Sequence, residues 1–268
     1  MTLSEQVFAR LAQEAAVWVT VDATQGSVPR DARTWMAVFA DTVLGTIGGG
    51  QVEFDAIQQA RSRLLDGASA APVLLRYALG PSLGQCCGGV MHLRFERVQA
   101  ADVPALRQRI TAYFDPVALF GGGHVGRALV DVLGKLPFAV TWIDSRDEIF
   151  PEPVPANVVC EHSNPVQAAV ATLVTHTRVL IMSFSHAEDL DVVAACLRRQ
   201  REAGDLRHIG LIGSKTKWAT FRHRLGARGF TQAELGQVTS PIGVPGVVGK
   251  EPEVIAVAVA AHLLQLRN

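Results

Sequence analysis

The chain has 268 residues, of which 49% are hydrophobic and 19% are charged, and its 25 basic residues balance its 25 acidic ones. This length and composition predict an ordinary soluble globular protein of one large or two modest domains. A neutral chain has no broad attraction for DNA, RNA or anionic lipid, so the composition argues against a nucleic-acid or membrane partner.

The ends of the chain predict neither an export signal nor a membrane span. The opening stretch "MTLSEQVFARLAQEA" predicts a short amphipathic helix capped by Ser4 rather than a signal peptide. The longest apolar run, "VIAVAVAAHLL" at 254–264, is too short to cross a bilayer and predicts a buried helix. We therefore expect a cytoplasmic protein whose cysteines are thiols in that reducing compartment.

The first hundred residues predict a β-rich region that one helix interrupts. Alternating or β-branched apolar residues predict strands at 15–23, 34–40, 42–48, 72–79 and 90–98. Between the third and fourth of these runs, apolar residues recur every four positions from Val52 to Leu64. This spacing predicts one helix, which stops at Gly67.

The pattern changes along the second half of the chain. A helical stretch at 100–115 predicts a linker between a smaller β-rich α+β domain at 1–99 and a second domain at 116–268. In the second domain, strands alternate with helices of ten or more residues. This alternation is typical of an α/β fold with a Rossmann-like, doubly wound parallel sheet.

A glycine-rich turn, "GGGHVG" at 121–126, fits the G-x-G-x-x-G pattern of dinucleotide-binding loops. Gly121 would allow a tight turn, Gly123 would let the backbone approach a phosphate, and Gly126 would let the next helix pack closely. Asp144 ends the following strand about twenty residues on, where such domains place a carboxylate against a ribose hydroxyl. The alternative is that the glycines only build the turn.

Two further loops follow strand ends, at the edge where parallel sheets bind ligands. The segment "SFSHAEDLD" offers His186 and Asp189, and "GLIGSKTK" offers Ser214 and Lys215, which suit an anion. A surface role is the alternative for each of them.

The β-rich domain holds two more candidate groups. Gly48, Gly49 and Gly50 precede its helix and form a second candidate anion cradle, with tight-turn chemistry as the alternative. Cys86 and Cys87 stand together in "LGQCCGG". Vicinal cysteines seldom bridge each other because the small ring strains the peptide bond between them. Taken alone, the pair is two thiols beside a turn.

Eight segments in fixed order resemble the XdhC/CoxI family, and most closely its XdhC branch of xanthine dehydrogenase accessory proteins. They are "GSVPR", "GTIGGGQVE", "LGQCCGG", "FGGGHVGRAL", "IDSR", "SHAEDLD", "GLIGSKTK" and "EPEVIAVAVAAHLL". The resemblance covers about 18–264. It departs from the family at Arg33, where glycine is common, and at Gln51, where histidine is frequent, which puts in doubt a ligand role for position 51.

The resemblance implies a chaperone for molybdenum cofactor (molybdopterin) rather than an enzyme. Such proteins receive the cofactor from molybdenum-cofactor biosynthesis proteins and hold it while a cysteine desulfurase helps to exchange an oxo ligand for sulfido. They then pass it to the molybdenum subunit of xanthine dehydrogenase. Cys87 matches the cysteine common across the family and Cys86 that of the XdhC branch, so both become candidate molybdenum contacts. A homo-oligomer is compatible with this interpretation.

The sequence thus predicts a cofactor site assembled from several segments. Its candidate residues are Cys86, Cys87, Gly48, Gly49, Gly50, Gly121, Gly123, His124, Gly126, Asp144, His186, Asp189, Ser214 and Lys215. Which glycine loop holds the phosphate stays open. Two other functions also stay open: an NAD(P)-dependent oxidoreductase, although no Tyr-x-x-x-Lys pair is evident, and a zinc or regulatory nucleotide module, although a second cysteine pair is lacking.

Overall fold

The computed structural model describes residues 2–65, 71–79 and 88–267. The chain divides into two units, Met1–Arg109 and Ile110–Asn268, each of which packs mainly against itself. Within the described ranges, no helix combines the length and the apolar character that crossing a membrane would need.

The first unit contains a five-stranded antiparallel sheet. Its strands are β1 (Ala16–Gln25), β2 (Trp35–Val38), β3 (Val43–Gly45), β4 (Val73–Ala78) and β5 (Val90–Val98). They lie in the order β3-β2-β1-β5-β4. Its helices are α1 (Leu3–Leu11), α2 (Gly50–Leu65) and α3 (Val103–Thr111). The five strands and α2 lie where they were predicted, to within about three residues, and the predicted end of the helix at Gly67 lies outside the described residues. The boundary between the units falls inside α3.

The apolar stripe of α2 is the reason that this helix packs on the sheet. Val52, Ala56 and Ala60 are buried and join one apolar cluster with Val19 of β1 and Leu93 of β5. In β5 the buried residues alternate with less buried ones because successive strand residues point to opposite faces. One face of the sheet therefore forms the core of this unit.

Helix α1 begins two residues earlier than a cap at Ser4 predicts. The Thr2 hydroxyl accepts a hydrogen bond from Glu5 N, and the Glu5 carboxylate accepts one from Thr2 N at 2.6 Å. The prediction of Ser4 as the cap was wrong because Ser4 lies inside the helix. The Thr2–Glu5 pair instead forms a capping box, which satisfies two backbone donors at once.

The second unit contains a six-stranded parallel sheet. Its strands are β6 (Asp115–Phe120), β7 (Phe138–Asp144), β8 (Val158–His162), β9 (Arg178–Ile181), β10 (His208–Leu211) and β11 (Val238–Thr239). The helices are α4 (His124–Leu133), α5 (His186–Glu202), α6 (Lys215–Ala227), α7 (Gln232–Leu235) and α8 (Pro252–Gln265). A 3-10 helix, Val166–Thr172, connects β8 to β9 where the alternation predicts an α-helix.

The strand order of this sheet is β11-β10-β9-β6-β7-β8. Counted from β6, the order is 3-2-1-4-5-6, which is the Rossmann arrangement, so the predicted fold class is confirmed. The chain runs outward from β6 to β8 and then returns to β9 on the other side of β6. The loops after β6 and β9 therefore diverge and leave a crevice at this switch point, where sheets of this kind bind ligands.

Apolar layers cover both faces of the parallel sheet. Ala118 and Phe120 of β6 face a cluster with α5 and α6, whereas Val117 and Leu119 face one with α4 and α8. The predicted helix at 254–264 forms within α8, but it is buried on one side only. Ala256, Val259 and Ala260 pack in the core, while Val257 and Leu264 on the same helix are exposed.

Candidate functional site

In the glycine loop, residues 121–126, the first and last glycines lie so close to neighbouring backbone that a side chain would not fit. A Cβ atom at Gly121 would lie 2.0 Å from the Met182 carbonyl oxygen, and the φ of +124° there also favours glycine. A Cβ atom at Gly126 would lie 2.1 Å from the Gly121 carbonyl oxygen. The first glycine thus lets the loop pass the end of β9, and the last lets α4 pack on the loop.

Gly123 differs from these two glycines because a Cβ atom there would meet nothing within 4 Å. It caps the N-terminus of α4, no side chain donates or accepts a capping bond there, and the next residue, His124, is exposed. The start of a helix carries partial positive charge and favours anions. The open position is the one that was predicted to let the backbone approach a phosphate.

Asp144, at the end of β7, is only 2% exposed and is fully engaged by its surroundings. Its carboxylate accepts a hydrogen bond from Gly122 N at 2.6 Å and two from the Arg146 guanidinium at 2.8 and 2.9 Å. Burial raises the pKa of Asp144, but these hydrogen bonds outweigh it and the net pKa lies below its ordinary value. The carboxylate therefore anchors the glycine loop, and the contact to a ribose stays a prediction.

Four residues connect the loops that follow β7 and β9, and we call them the β7–β9 bridge: Ser145, Arg146, Phe184 and Glu188. The Ser145 hydroxyl donates to the Glu188 carboxylate at 2.5 Å, and Phe184 N donates to the same carboxylate at 3.1 Å. The Arg146 guanidinium lies over the Phe184 ring, 4.5 Å from its centroid. Because β6 lies between β7 and β9, the bridge crosses the end of β6 that carries the glycine loop.

Asp189 forms a buried ion pair that the sequence did not reveal. Its carboxylate accepts from Ser183 N at 2.7 Å and from Lys217 Nζ at 2.6 Å, and Lys217 also donates to the Ile212 carbonyl at 2.8 Å. The pair joins α5 to α6 and to the loops after β9 and β10. Lys217 was missed, although its place three residues after the cap of α6 is a position that faces back toward the helix start.

The remaining predicted residues lie at helix starts along the same sheet edge. Ser214 caps α6 by accepting from Lys217 N at 3.1 Å, and Lys215 is exposed. His186 is the exposed first residue of α5, and its ring stands edge-on to Phe221 with 6.3 Å between centroids. The structure thus brings together all the residues predicted for the second unit, at the carboxyl ends of β6, β7, β9 and β10.

The candidate cradle of the first unit already holds a carboxylate. Glu53, in the first turn of α2, accepts from Thr46 Oγ1 at 2.5 Å, from Ile47 N at 2.9 Å and from Gly49 N at 3.0 Å. Burial raises the pKa of Glu53, but these hydrogen bonds outweigh it and leave the pKa below its ordinary value. The predicted phosphate at Gly48, Gly49 and Gly50 would have to share these donors with Glu53.

The turn after β1 brings two glycine-rich segments of the first unit together. A Cβ atom at Gly48 would lie 2.8 Å from the Pro29 side chain, and one at Gly89 would lie 2.4 Å from the Ser27 carbonyl oxygen. Gly89 follows closely on the cysteine pair. Cys86 and Cys87 themselves lie outside the described residues, so their molybdenum contact stays a prediction. Elsewhere in the described ranges, no three His, Cys, Asp or Glu residues are grouped to hold a metal.

Comparison with known proteins identifies relatives of both halves of the chain. The XdhC and CoxI family profile matches residues 9–78, and the XdhC Rossmann domain profile matches residues 117–263. The uncharacterized protein YqeB of Escherichia coli K12 is 25% identical over 253 residues, which cover 91% of this chain and 42% of that protein. The chain thus spans about two fifths of the length of this curated relative.

A solved structure shares the fold along the whole chain. It is a protein from Bacillus halodurans, described as a xanthine dehydrogenase, with 19% sequence identity and a TM-score of 0.73. The match covers 99% of this chain and 96% of the other. At this level of identity the likeness concerns the fold alone.

Proposed function

The chain belongs to the XdhC and CoxI family, and we propose that it is an accessory protein that binds molybdenum cofactor and inserts it into xanthine dehydrogenase. In this proposal the chain also holds the cofactor in the cytoplasm during sulfuration, as a chaperone rather than an enzyme. Its partners would be the molybdenum subunit of xanthine dehydrogenase, a cysteine desulfurase and the proteins that make the cofactor.

The geometry of the glycine loop is the observation that carries the binding part of this proposal. Gly121 and Gly126 are enclosed by backbone, whereas Gly123 leaves open space at the start of α4. The phosphate of molybdopterin would be held there by backbone amides and by the positive end of the helix. The crevice carboxylates of Asp144 and Asp189 are each neutralised by a cation, which reduces their repulsion of that phosphate.

The cysteine pair would supply the sulfur chemistry at the metal end of the cofactor. Thiolates are soft ligands that suit a thiophilic metal centre. The described end of the motif, Gly89, is packed against the Gln25 and Ser27 carbonyl oxygens, next to β1. The two thiols would hold the molybdenum end of the cofactor while a cysteine desulfurase supports its sulfuration.

A nicotinamide-dependent oxidoreductase is the second candidate because the strand order and Asp144 suit that class as well. In such an enzyme the glycine loop would hold a pyrophosphate and Asp144 would share its oxygens with a ribose hydroxyl. Calorimetry with NAD(H) and NADP(H) separates the two functions. Micromolar binding together with turnover would favour the oxidoreductase.

The test of the first proposal is to purify the chain from cells that make molybdenum cofactor and to assay its molybdenum and pterin. Loss of even an outer-shell partner of a metal costs about 10–100-fold in affinity, so we expect Cys87→Ala to weaken molybdenum retention about tenfold or more. Cys160→Ala, which removes a half-buried thiol in the second unit, serves as the control. Unchanged retention and unchanged activation of xanthine dehydrogenase in Cys87→Ala would refute the cysteine role.

A further inference from the structure

A large aromatic side chain is exposed to solvent at the switch-point crevice. Phe184 is 66% exposed, although it lies only three residues after the buried end of β9 at Ile181. Its backbone is nevertheless fixed, because Phe184 N donates to Glu188 and the next residue, Ser185, caps α5. An exposed phenyl ring on a fixed backbone contributes no buried apolar area to the core of the protein. The ring is therefore available to bind a ligand.

Arg146 supports one face of this ring. Its guanidinium lies 4.5 Å from the ring centroid and is held in place by two hydrogen bonds to the buried Asp144. These bonds use two of the five N–H donors of the guanidinium and pair its charge with a buried carboxylate, so Arg146 serves less as a phosphate clamp than as a flat backing for Phe184. The rest of the ring remains open to a second flat group.

The backbone that leads to Phe184 lies against the glycine loop. A Cβ atom at Gly121 would lie 2.0 Å from the Met182 carbonyl oxygen and 3.1 Å from Ser183 N, so the loop that carries Phe184 starts in contact with the glycine loop. On the other side, Gly122 N donates to Asp144, which holds Arg146. The two residues of the stacked pair are therefore each tied to the loop whose Gly123 faces open space.

From this arrangement we propose that Phe184 is a stacking platform for a flat heteroaromatic ring that carries a phosphate. The ring stacks on the open part of Phe184, which Arg146 backs, and the phosphate reaches the glycine loop. Stacking of this kind accepts many heterocycles because each has a π-face. Both a pterin and a nucleobase present the required chemistry. The pterin as occupant rests on the proposed function, whereas a nucleotide does not.

Calorimetric titration of the full chain tests the platform. The probes are AMP and GMP for the nucleotide, 6-hydroxymethylpterin phosphate for the pterin, and ribose 5-phosphate as the phosphate without a ring. The variants are Phe184→Ala, Phe184→Trp, which keeps an aromatic face, and Phe54→Ala, which removes a comparably exposed ring (56% exposed) from α2.

Aromatic stacking on a base contributes enough that its loss weakens binding about tenfold or more. We expect Phe184→Ala to lose this factor for the ring-bearing probes and to leave ribose 5-phosphate unchanged, while Phe184→Trp and Phe54→Ala retain wild-type affinity. Equal affinity of Phe184→Ala and wild type for every ring-bearing probe would overturn the platform. So would a wild-type chain that binds none of those probes at millimolar concentration. Nucleotide binding that depends on Phe184, with no pterin binding, would support the platform and count against the molybdenum-cofactor function.

Discussion

Replacing Lys217 by methionine removes one partner of the ion pair that joins α5 and α6. The side chains of Lys217 and Asp189 are 11% and 3% exposed, and their charged atoms lie 2.6 Å apart. In the variant, the Asp189 carboxylate stays buried and keeps the 2.7 Å hydrogen bond from Ser183 N. Removal of one member of a buried pair destabilises a protein by about 3–5 kcal/mol because an uncompensated charge is left behind.

The same two helices carry a second ion pair that provides the matched control. Arg228 and Asp191 also connect α6 to α5, at 2.8 Å, but their side chains are 46% and 43% exposed. Exposed pairs contribute about 0–1 kcal/mol, so Arg228→Met is expected to have little effect. The two variants therefore differ mainly in the burial of the carboxylate that they leave unpaired.

Urea unfolding followed by tryptophan fluorescence and circular dichroism measures both variants at neutral pH. A double variant, Lys217→Met with Asp189→Leu, should recover much of the loss because no buried charge remains. The reasoning would be refuted if Lys217→Met and Arg228→Met lowered the free energy of unfolding equally.

Two other predictions concern the loop and the opposite edge of the sheet. Gly126→Ala should destabilise the second unit by about 1–3 kcal/mol, because its Cβ would overlap a backbone oxygen. In the control Gly226→Ala, in α6, the added Cβ meets no atom within 4 Å, so this variant should be neutral or stabilising in the same urea assay. Burial, His262 and Arg178 lower the pKa of His208 to about 4. In the unfolded chain this histidine binds a proton near pH 6.5, whereas in the folded protein it stays neutral down to about pH 4. The free energy of unfolding should therefore fall by up to about 3 kcal/mol between pH 6.5 and 4. Unfolding experiments across that range should show a smaller loss in His208→Phe. Equal pH dependence in His208→Phe and wild type would contradict the assignment.

Hydrophobic periodicity and the glycine motif were sufficient to predict most of the fold. The alternation in β5 and the four-residue spacing in α2 are local signals, and each found its element. The position of Ser4 shows the limit of such signals, because Thr2 and Ser4, two positions apart near the helix start, both carry hydroxyl side chains that suit a cap. Only the backbone path decides that Thr2 stands at the cap and Ser4 within the helix.

The candidate site was predicted less completely because its chemistry depends on side-chain direction. Lys215 and Lys217 are two positions apart on one helix and point different ways, and the exposed one was chosen. Glu53 was visible at the start of α2, yet its place among the loop amides requires the turn at Gly48 and Gly49. Phenylalanine is usually buried in the core, so no local pattern in the sequence indicated that Phe184 is exposed.

The β7–β9 bridge has a consequence for the motions of the second unit. Ser145 donates a hydrogen bond to Glu188, and Arg146 stacks on Phe184. The loops after β7 and β9 therefore do not move independently of each other. A fluctuation that lifts one loop must break both links or carry the other loop with it. The edge of the sheet therefore opens collectively, and a ligand meets loops whose conformational freedom was lost during folding rather than during binding.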